Sequence, residues 1–144
     1  MVENMFVVNV EVVVFKGQYC LLTRRGLDEQ VAPGMISFPG GKVEIDDGEQ
    51  HILEQTAHRE LAEETGVSAS EMVYAGSKLF IIEDGTPVVN VIFCCNYKSG
   101  TAQTNDDELS SVFWCRMDDV AQLPGLPPWT LDSYNMAVAV RKNL

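Results

Sequence analysis

Residues 58–67 read "HRELAEETGV", and the direction in which its acids point decides how the chain is organised. The run from Gln50 to Thr65 reads as a helix, with Gly66 and Val67 as its stop. Asp47 is placed as its N-cap, with Gln50 three residues on. At about 100° per residue, Leu53, Ala57 and Leu61 form one stripe, and Glu60 and Glu64 fall inside the same arc. Glu63 lies at the edge of that arc, Arg59 further round, and Ala62 and His58 on the far side. A solvated charged face would show the opposite arrangement. Two carboxylates are therefore aimed the way the core residues are aimed.

Inward carboxylates three or four residues apart repel one another and lose hydration unless something positive sits between them. Hard divalent cations accept such oxygen ligands, and Mg²⁺ characteristically binds through one or two carboxylates together with substrate phosphates. A metal site carried on one rigid helix is the economical expectation.

Working outward, the valine-rich run from Val7 to Phe15, with Asn9 and Glu11 at alternate places, reads as a strand. A "KGQ" turn makes it a hairpin with "YCLLTRR", residues 19–25. From Gly26 to Glu49 the chain is rich in Gly, Pro and acids, and only "MISF" looks like a short strand; such long loops are usually functional or disordered. Beyond the helix come "SKLFII" and "VVNVIFCCNY", parted by the turn "EDGTP", then the polar loop "KSGTAQTNDDE" and a strand "SVFWCR". A short "MDDVAQL" helix follows, and after "PGLPP" a last helix capped by Thr130 or Asp132 runs to about Lys142. Strands on both sides of one central helix, with another helix at the end, predict an α/β fold with a mixed sheet and helices on its faces, in one domain over residues 1–144.

Ten basic against 21 acidic residues give a net charge of −11, which excludes a long basic surface for wrapping nucleic acid, so no nucleic-acid polymer is expected as partner. Cys20, Cys94, Cys95 and Cys115 lack C-x-x-C spacing, lie in apolar runs and read as buried thiols of a reducing compartment. No apolar run reaches the roughly 18 residues needed to span a bilayer and the N-terminus has no basic n-region, so a cytoplasmic protein without membrane contact is expected. His51 and His58 read as surface residues.

"RELAEETGV", Arg59 to Val67, resembles the second half of the Nudix hydrolase signature at every specified position, and "FPGGKVE", Phe38 to Glu44, resembles the approach to its first half. In that family a glycine, five residues, a glutamate and seven residues precede the arginine. With Gly41 and Glu49 in those places the intervals are seven and nine, which implies an expanded loop and helix start with Glu49 bracing Arg59. Strict counting back from Arg59 would instead place His51 and Ile45 there. The resemblance implies a Nudix-type α/β/α sandwich and a Mg²⁺-dependent pyrophosphohydrolase, with Mn²⁺ as a second usable ion. Its substrate would be a small nucleotide derivative: a nucleoside triphosphate, a nucleotide sugar, ADP-ribose or a related dinucleotide.

By the same resemblance Glu60 and Glu64 are metal ligands, Glu63 a third, and the Gly41 carbonyl one more, while Arg59 orients the cluster. The general base comes either from the helix, where Glu63 and Glu64 stand, or from the later loop, where Glu108 leads and Asp107 follows; that loop reads equally as a solvated acidic turn. Arg24 and Arg25 are candidates for the phosphates, of which strand alternation allows one to face a cleft. Phe38 and Trp129 are candidate stacking platforms, whereas Trp114 in "VFWCR" reads rather as core. Two alternatives stand beside the enzyme: a non-catalytic Nudix-like nucleotide-binding regulatory module, and a plain acidic α/β protein. A homodimer also stays open, with the valine-rich first strand extending a partner's sheet.

Overall fold

The computed structural model describes residues 4–144. Strand β1 (Val7–Lys16) turns at Gly17 into β2 (Tyr19–Arg25), and β3 (Ile36–Ser37) and β4 (Gly40–Lys42) lead through a 3-10 turn, Ile45–Asp47, to helix α1 (Ile52–Thr65). Then come β5 (Ser68–Ala69), β6 (Val73–Ile81), β7 (Pro87–Ser99), β8 (Leu109–Arg116) and helix α2 (Pro128–Val140). The expected "MDDVAQL" helix is a 3-10 segment, Met117–Gln122. No helix among the described residues is long and apolar enough to cross a membrane.

β1 is the centre of a mixed sheet. It runs parallel to β7 from Val7–Val88 to Phe15–Asn96, and on its other side antiparallel to β2 and then β4. β2 and β1 pair only at Phe15–Cys20 and Lys16–Tyr19 before they part, and β4 takes the vacated edge from Asn9 to Glu11. β8 lies on β2, and β6 and β5 lie on β7. β1 is thus paired along both edges, so it does not offer itself to a partner's sheet; two-sided burial is why it is nearly all valine.

Alternation along β1 and β7 divides the core into two layers. Val10, Val12, Val14, Val91, Phe93 and Cys95 pack with Ala57 and Leu61 of α1. Val13, Phe15, Ile92 and Cys94 face the other way, against Tyr134 and Ala137 of α2. The sheet therefore lies between the two helices, as the sandwich predicts. All four cysteines are buried free thiols, and burial pushes Cys20 and Cys95 up to about 12.

Two helix starts differ from expectation. α1 begins at Ile52, and its cap position is His51, in a left-handed conformation with no side-chain cap. Asp47 closes the preceding 3-10 turn instead, accepting from the Glu44 N–H at 2.9 Å. α2 begins at Pro128, ahead of both Thr130 and Asp132; a proline in the first turn lacks only an N–H that the helix would leave unpaired. The Thr130 hydroxyl goes to the Ile36 carbonyl, 3.1 Å away. At its far end α1 stops at Gly66, whose φ of 73° costs glycine no Cβ clash and lets its N–H reach the Ala62 carbonyl.

Candidate active site

Arg59 sits at the centre of the acidic cluster. Its Nε lies 2.5 Å from Asp47 Oδ1, one terminal nitrogen donates to Asp47 Oδ2 at 2.9 Å and the Lys42 carbonyl at 3.0 Å, and the other donates to Glu60 at 2.7 Å and Glu63 at 3.2 Å. The fork thus ties β4, the 3-10 turn and the acids of α1 into one unit. Asp47 is buried, receives the Thr56 hydroxyl at 2.7 Å, and is held well below the usual carboxylate range, chiefly by Arg59 and then by Thr56. The same pair raises Arg59 above its already high value.

The brace of Arg59 is therefore Asp47, and the expectation for Glu49 is corrected. Glu49 is exposed, and none of Arg59's hydrogen bonds goes to it. The reason is spacing: five residues, Lys42 to Asp46, separate Gly41 from Asp47, which is the signature interval with the shorter acid at its end. Eleven residues, Gly48 to His58, separate Asp47 from Arg59, four more than the usual seven. The extra residues all follow the brace and leave its geometry alone.

Glu60 and Glu64 are half-buried, whereas Glu63 is 62% exposed. Burial pushes Glu60 up, against the pull of Arg59. It raises Glu64 further, to about 8, with Glu60 adding repulsion and the Gly40 backbone pulling back. Two carboxylates that would rather not both be charged are a donor set suited to a hard cation. The β4 loop is moulded to them: a Cβ at Gly41 would overlap the Glu60 carboxylate. Glycine is needed there for close approach and not for its backbone angles. No group of three acidic, His or Cys side chains stands in metal-holding geometry among the described residues; Arg59 pairs with Glu60 and Glu63.

Backbone bonds from Gln103 to Thr65 and from Asn105 to Glu64 zip the polar loop onto the end of α1. A hollow of about 470 Å³ results, with Glu60, Glu63 and Glu64 on one wall and Asp106, Asp107 and Glu108 on the other. Glu64, Asp106 and Glu108 also border a second, larger cleft of about 690 Å³. Asp106 was not singled out from the sequence, yet it borders both spaces, and its side chain caps the Glu108 N–H at 2.9 Å.

Of the arginine pair, Arg25 lines the cleft and Arg24 does not appear there. Arg25 is bound to Glu108 at 3.1 Å and to the Val31 carbonyl at 2.8 Å. Arg24 donates to the Gly34 and Pro124 carbonyls at 2.9 and 3.0 Å, so it ties two loops together. Phe38 and Trp129 both line the cleft, but Phe38 is buried in the α2-side core whereas Trp129 is 58% exposed. Trp114 packs against the α1-side core, edge-to-face with Tyr97.

The sequence reading missed the floor of the cleft. Asn9 and Glu11 of β1, Asn90 of β7 and Lys78 of β6 line it, with Asn9 and Lys78 both registered against Asn90. On the α2 face β1 runs Phe15, Val13, Glu11, Asn9, so the core gives way to polar groups toward Val7. Asn9 and Glu11, polar residues at alternate places in a valine strand, are the signal of this floor in the sequence, and the same alternation equally marks a plain strand.

With this geometry in view, comparison with known proteins is direct. The NUDIX domain model matches residues 5–136, and the chain belongs to the Nudix hydrolase family. Among curated relatives, the NAD-capped RNA hydrolase NudC of Actinobacillus succinogenes is 34% identical over 122 residues, 83% of this chain and 43% of that protein. The protein of the same name from Chromobacterium violaceum is 34% identical over 116 residues, 81% of this chain and 39% of that one. The chain thus spans less than half the length of the curated relatives it matches. Of solved structures, the NUDIX domain of Shewanella oneidensis NrtR complexed with ADP ribose superposes with a TM-score of 0.77 at 25% identity, over 94% of this chain and 88% of that one. The MutT protein of Methanosarcina mazei Go1 shares the fold, with a TM-score of 0.75 at 23% identity over 99% of each chain.

Proposed function

We propose that this chain hydrolyses the diphosphate linkage of a small nucleotide derivative with the help of Mg²⁺ or Mn²⁺, and that its substrate carries an adenosine diphosphate joined to a second ribosyl group. The observation that carries this reading is the meeting of Glu60 and Glu64 of α1 with the large cleft through Glu64, Asp106 and Glu108. The NudC relative is named a hydrolase of NAD-capped RNA, and the NrtR domain is complexed with ADP ribose; NAD and ADP-ribose share the adenosine diphosphoribose core.

Glu60 and Glu64, with the Gly41 carbonyl and Glu63, would hold the cation. When bound, it supplies charge neutralisation on the phosphate oxygens and a lower pKa for an attacking water. Arg59 orients Glu60 through its fixed attachment to Asp47. Glu63 and Glu64 of the helix are candidates for the proton-accepting group, beside Glu108 of the loop that faces them across the hollow. Glu108 accepts from Arg25 through Oε2 alone, at 3.1 Å, which leaves its other oxygen open to the hollow. Trp129 offers an exposed ring at the cleft mouth for stacking a base.

Incubation with NAD, ADP-ribose, nucleotide sugars and nucleoside triphosphates, in Mg²⁺ or Mn²⁺, tests the proposal. Cleavage of NAD or ADP-ribose to AMP and the partner ribose phosphate, with ¹⁸O from water in one product, is expected. Metal and nucleotide binding without turnover across the panel would instead support the non-catalytic module.

A further inference from the structure

The polar floor of the cleft is wired in one direction. Glu11, half-buried on the α2 face of β1, accepts through Oε1 from the Asn90 amide and, at 2.9 Å, from the Ser133 hydroxyl. A carboxylate can only accept, so Asn90 must turn its NH₂ toward Glu11 and its oxygen away. That oxygen accepts from Asn9 Nδ2 at 2.9 Å, and the second proton of Asn9 Nδ2 goes to the Val10 carbonyl at 3.3 Å. Asn90 is 4% exposed, and Ser133, which does not line the cleft, is fully buried. Both therefore hold Glu11 from beneath. No described residue donates to Glu11 Oε2 or to Asn9 Oδ1, although both side chains line the cleft.

We infer that Glu11 is a specificity residue: its free oxygen accepts a hydrogen bond from a donor group of the nucleoside bound in the cleft, either the 6-amino group of adenine or a ribose hydroxyl. The inference rests on the cleft being the nucleotide site. At Glu11 Oε2 and Asn9 Oδ1 the floor offers acceptors that the wiring keeps from reorienting into donors, because each amide has been turned by its neighbour, while Lys78 on the same floor donates to the Trp129 carbonyl. A nucleoside that presents an acceptor at that point would face an unpaired carboxylate oxygen, which is strongly disfavoured.

Glu11→Gln inverts this one property. The amide oxygen can keep the bonds from Asn90 and Ser133, which puts an NH₂ donor where Oε2 was. The test is equilibrium binding, with Mg²⁺, of AMP, 2′-deoxy-AMP, 3′-deoxy-AMP and purine riboside monophosphate, which lacks the 6-amino group. Wild-type protein is expected to bind one of the three analogues at least about tenfold more weakly than AMP. In Glu11→Gln that difference should fall to within about threefold, with an unchanged melting temperature. The analogue that is discriminated identifies the donor. Ser133→Ala, which keeps the carboxylate but releases its orientation, should reduce the same discrimination part of the way, and it serves if the Gln variant fails to fold. Equal affinity for all four nucleotides in wild type, or the same selectivity in wild type and both variants, overturns the inference while leaving the cleft a nucleotide site. Failure of AMP to bind wild-type protein at all would instead overturn the reading of the cleft, and this inference with it.

Discussion

Asp47 and Arg59 form a two-point ion pair, 2.5 Å from Nε to Oδ1 and 2.9 Å from the terminal nitrogen to Oδ2, across eleven intervening residues. Asp47→Asn should therefore lower turnover roughly tenfold or more, the usual range for a residue that orients a metal ligand. Glu49→Gln, on the exposed side of the same segment, should leave the kinetics unchanged. Steady-state rates of the two variants, measured together, separate the roles; a larger effect at Glu49 would contradict the pairing.

The pair also sets a pH dependence. Asp47 has its pKa depressed in the fold, so its contribution is complete above the ordinary carboxylate pKa, near 3.9, and is lost only as pH falls toward the lower folded value. The difference in melting temperature between wild type and Asp47→Asn should be constant from pH 5 to 8 and shrink below pH 4. A gap that closed already between pH 7 and 5 would mean that another group carries the effect.

Glu60→Gln and Glu64→Gln should each leave a folded protein with at least about a hundredfold lower turnover in Mg²⁺. Circular dichroism and steady-state rates are the paired measurements. Wild-type rates in either variant would remove that residue from the ligand set.

For Glu64 the sign of the linkage is opposite to that of Asp47. Its folded pKa is raised to about 8, so ionising it costs the metal-free fold stability as pH rises from the usual carboxylate range toward 8. Metal-free wild-type protein should lose melting temperature from pH 5 to 8 more steeply than Glu64→Gln, and Mg²⁺ should restore it. Titrating metal into weakly buffered protein at pH 7 should release protons, and the variant should release fewer.

Gly41→Ala tests the close approach of β4 to α1. Its methyl would press into the Glu60 carboxylate, so metal affinity should fall roughly ten- to a hundredfold. Gly85→Ala, with open space around its Cβ position, is a control for the cost of replacing a loop glycine, although its φ of 90° adds some strain of its own. Calorimetric Mg²⁺ titration of both variants reads the difference.

What could be read from the sequence was local. The stripe of Leu53, Ala57 and Leu61 placed Glu60 and Glu64 inward because one helix carries all five residues, and both acids are half-buried. The β1–β2 hairpin and the apolar run of β7 were equally legible from period-two patterning. The brace is hidden because Asp47 fits a helix cap as well as an ion pair, and because placing Glu49 there puts two of the four extra residues ahead of the brace when all four follow it. Arg24 and Arg25 could be separated only by the loops that close on them. Asn9, Glu11 and Asn90 could not be joined in advance, since parallel pairing brings together positions 81 apart and leaves no local trace.

That pairing also fixes the order in which the protein comes into being at the ribosome. Helix α1, with its acids and their brace, is complete by Thr65, whereas β1 waits for Pro87–Ser99 before its second edge is covered. For that interval a run of valines has one side open, and the nascent chain carries its acidic helix without the Asn90 part of the cleft floor. Closing so long a loop is slow compared with making the hairpin or the helix. The nascent chain therefore keeps its valines open to misassociation until β7 has emerged, and the cleft gains Asn90 only when that strand has docked.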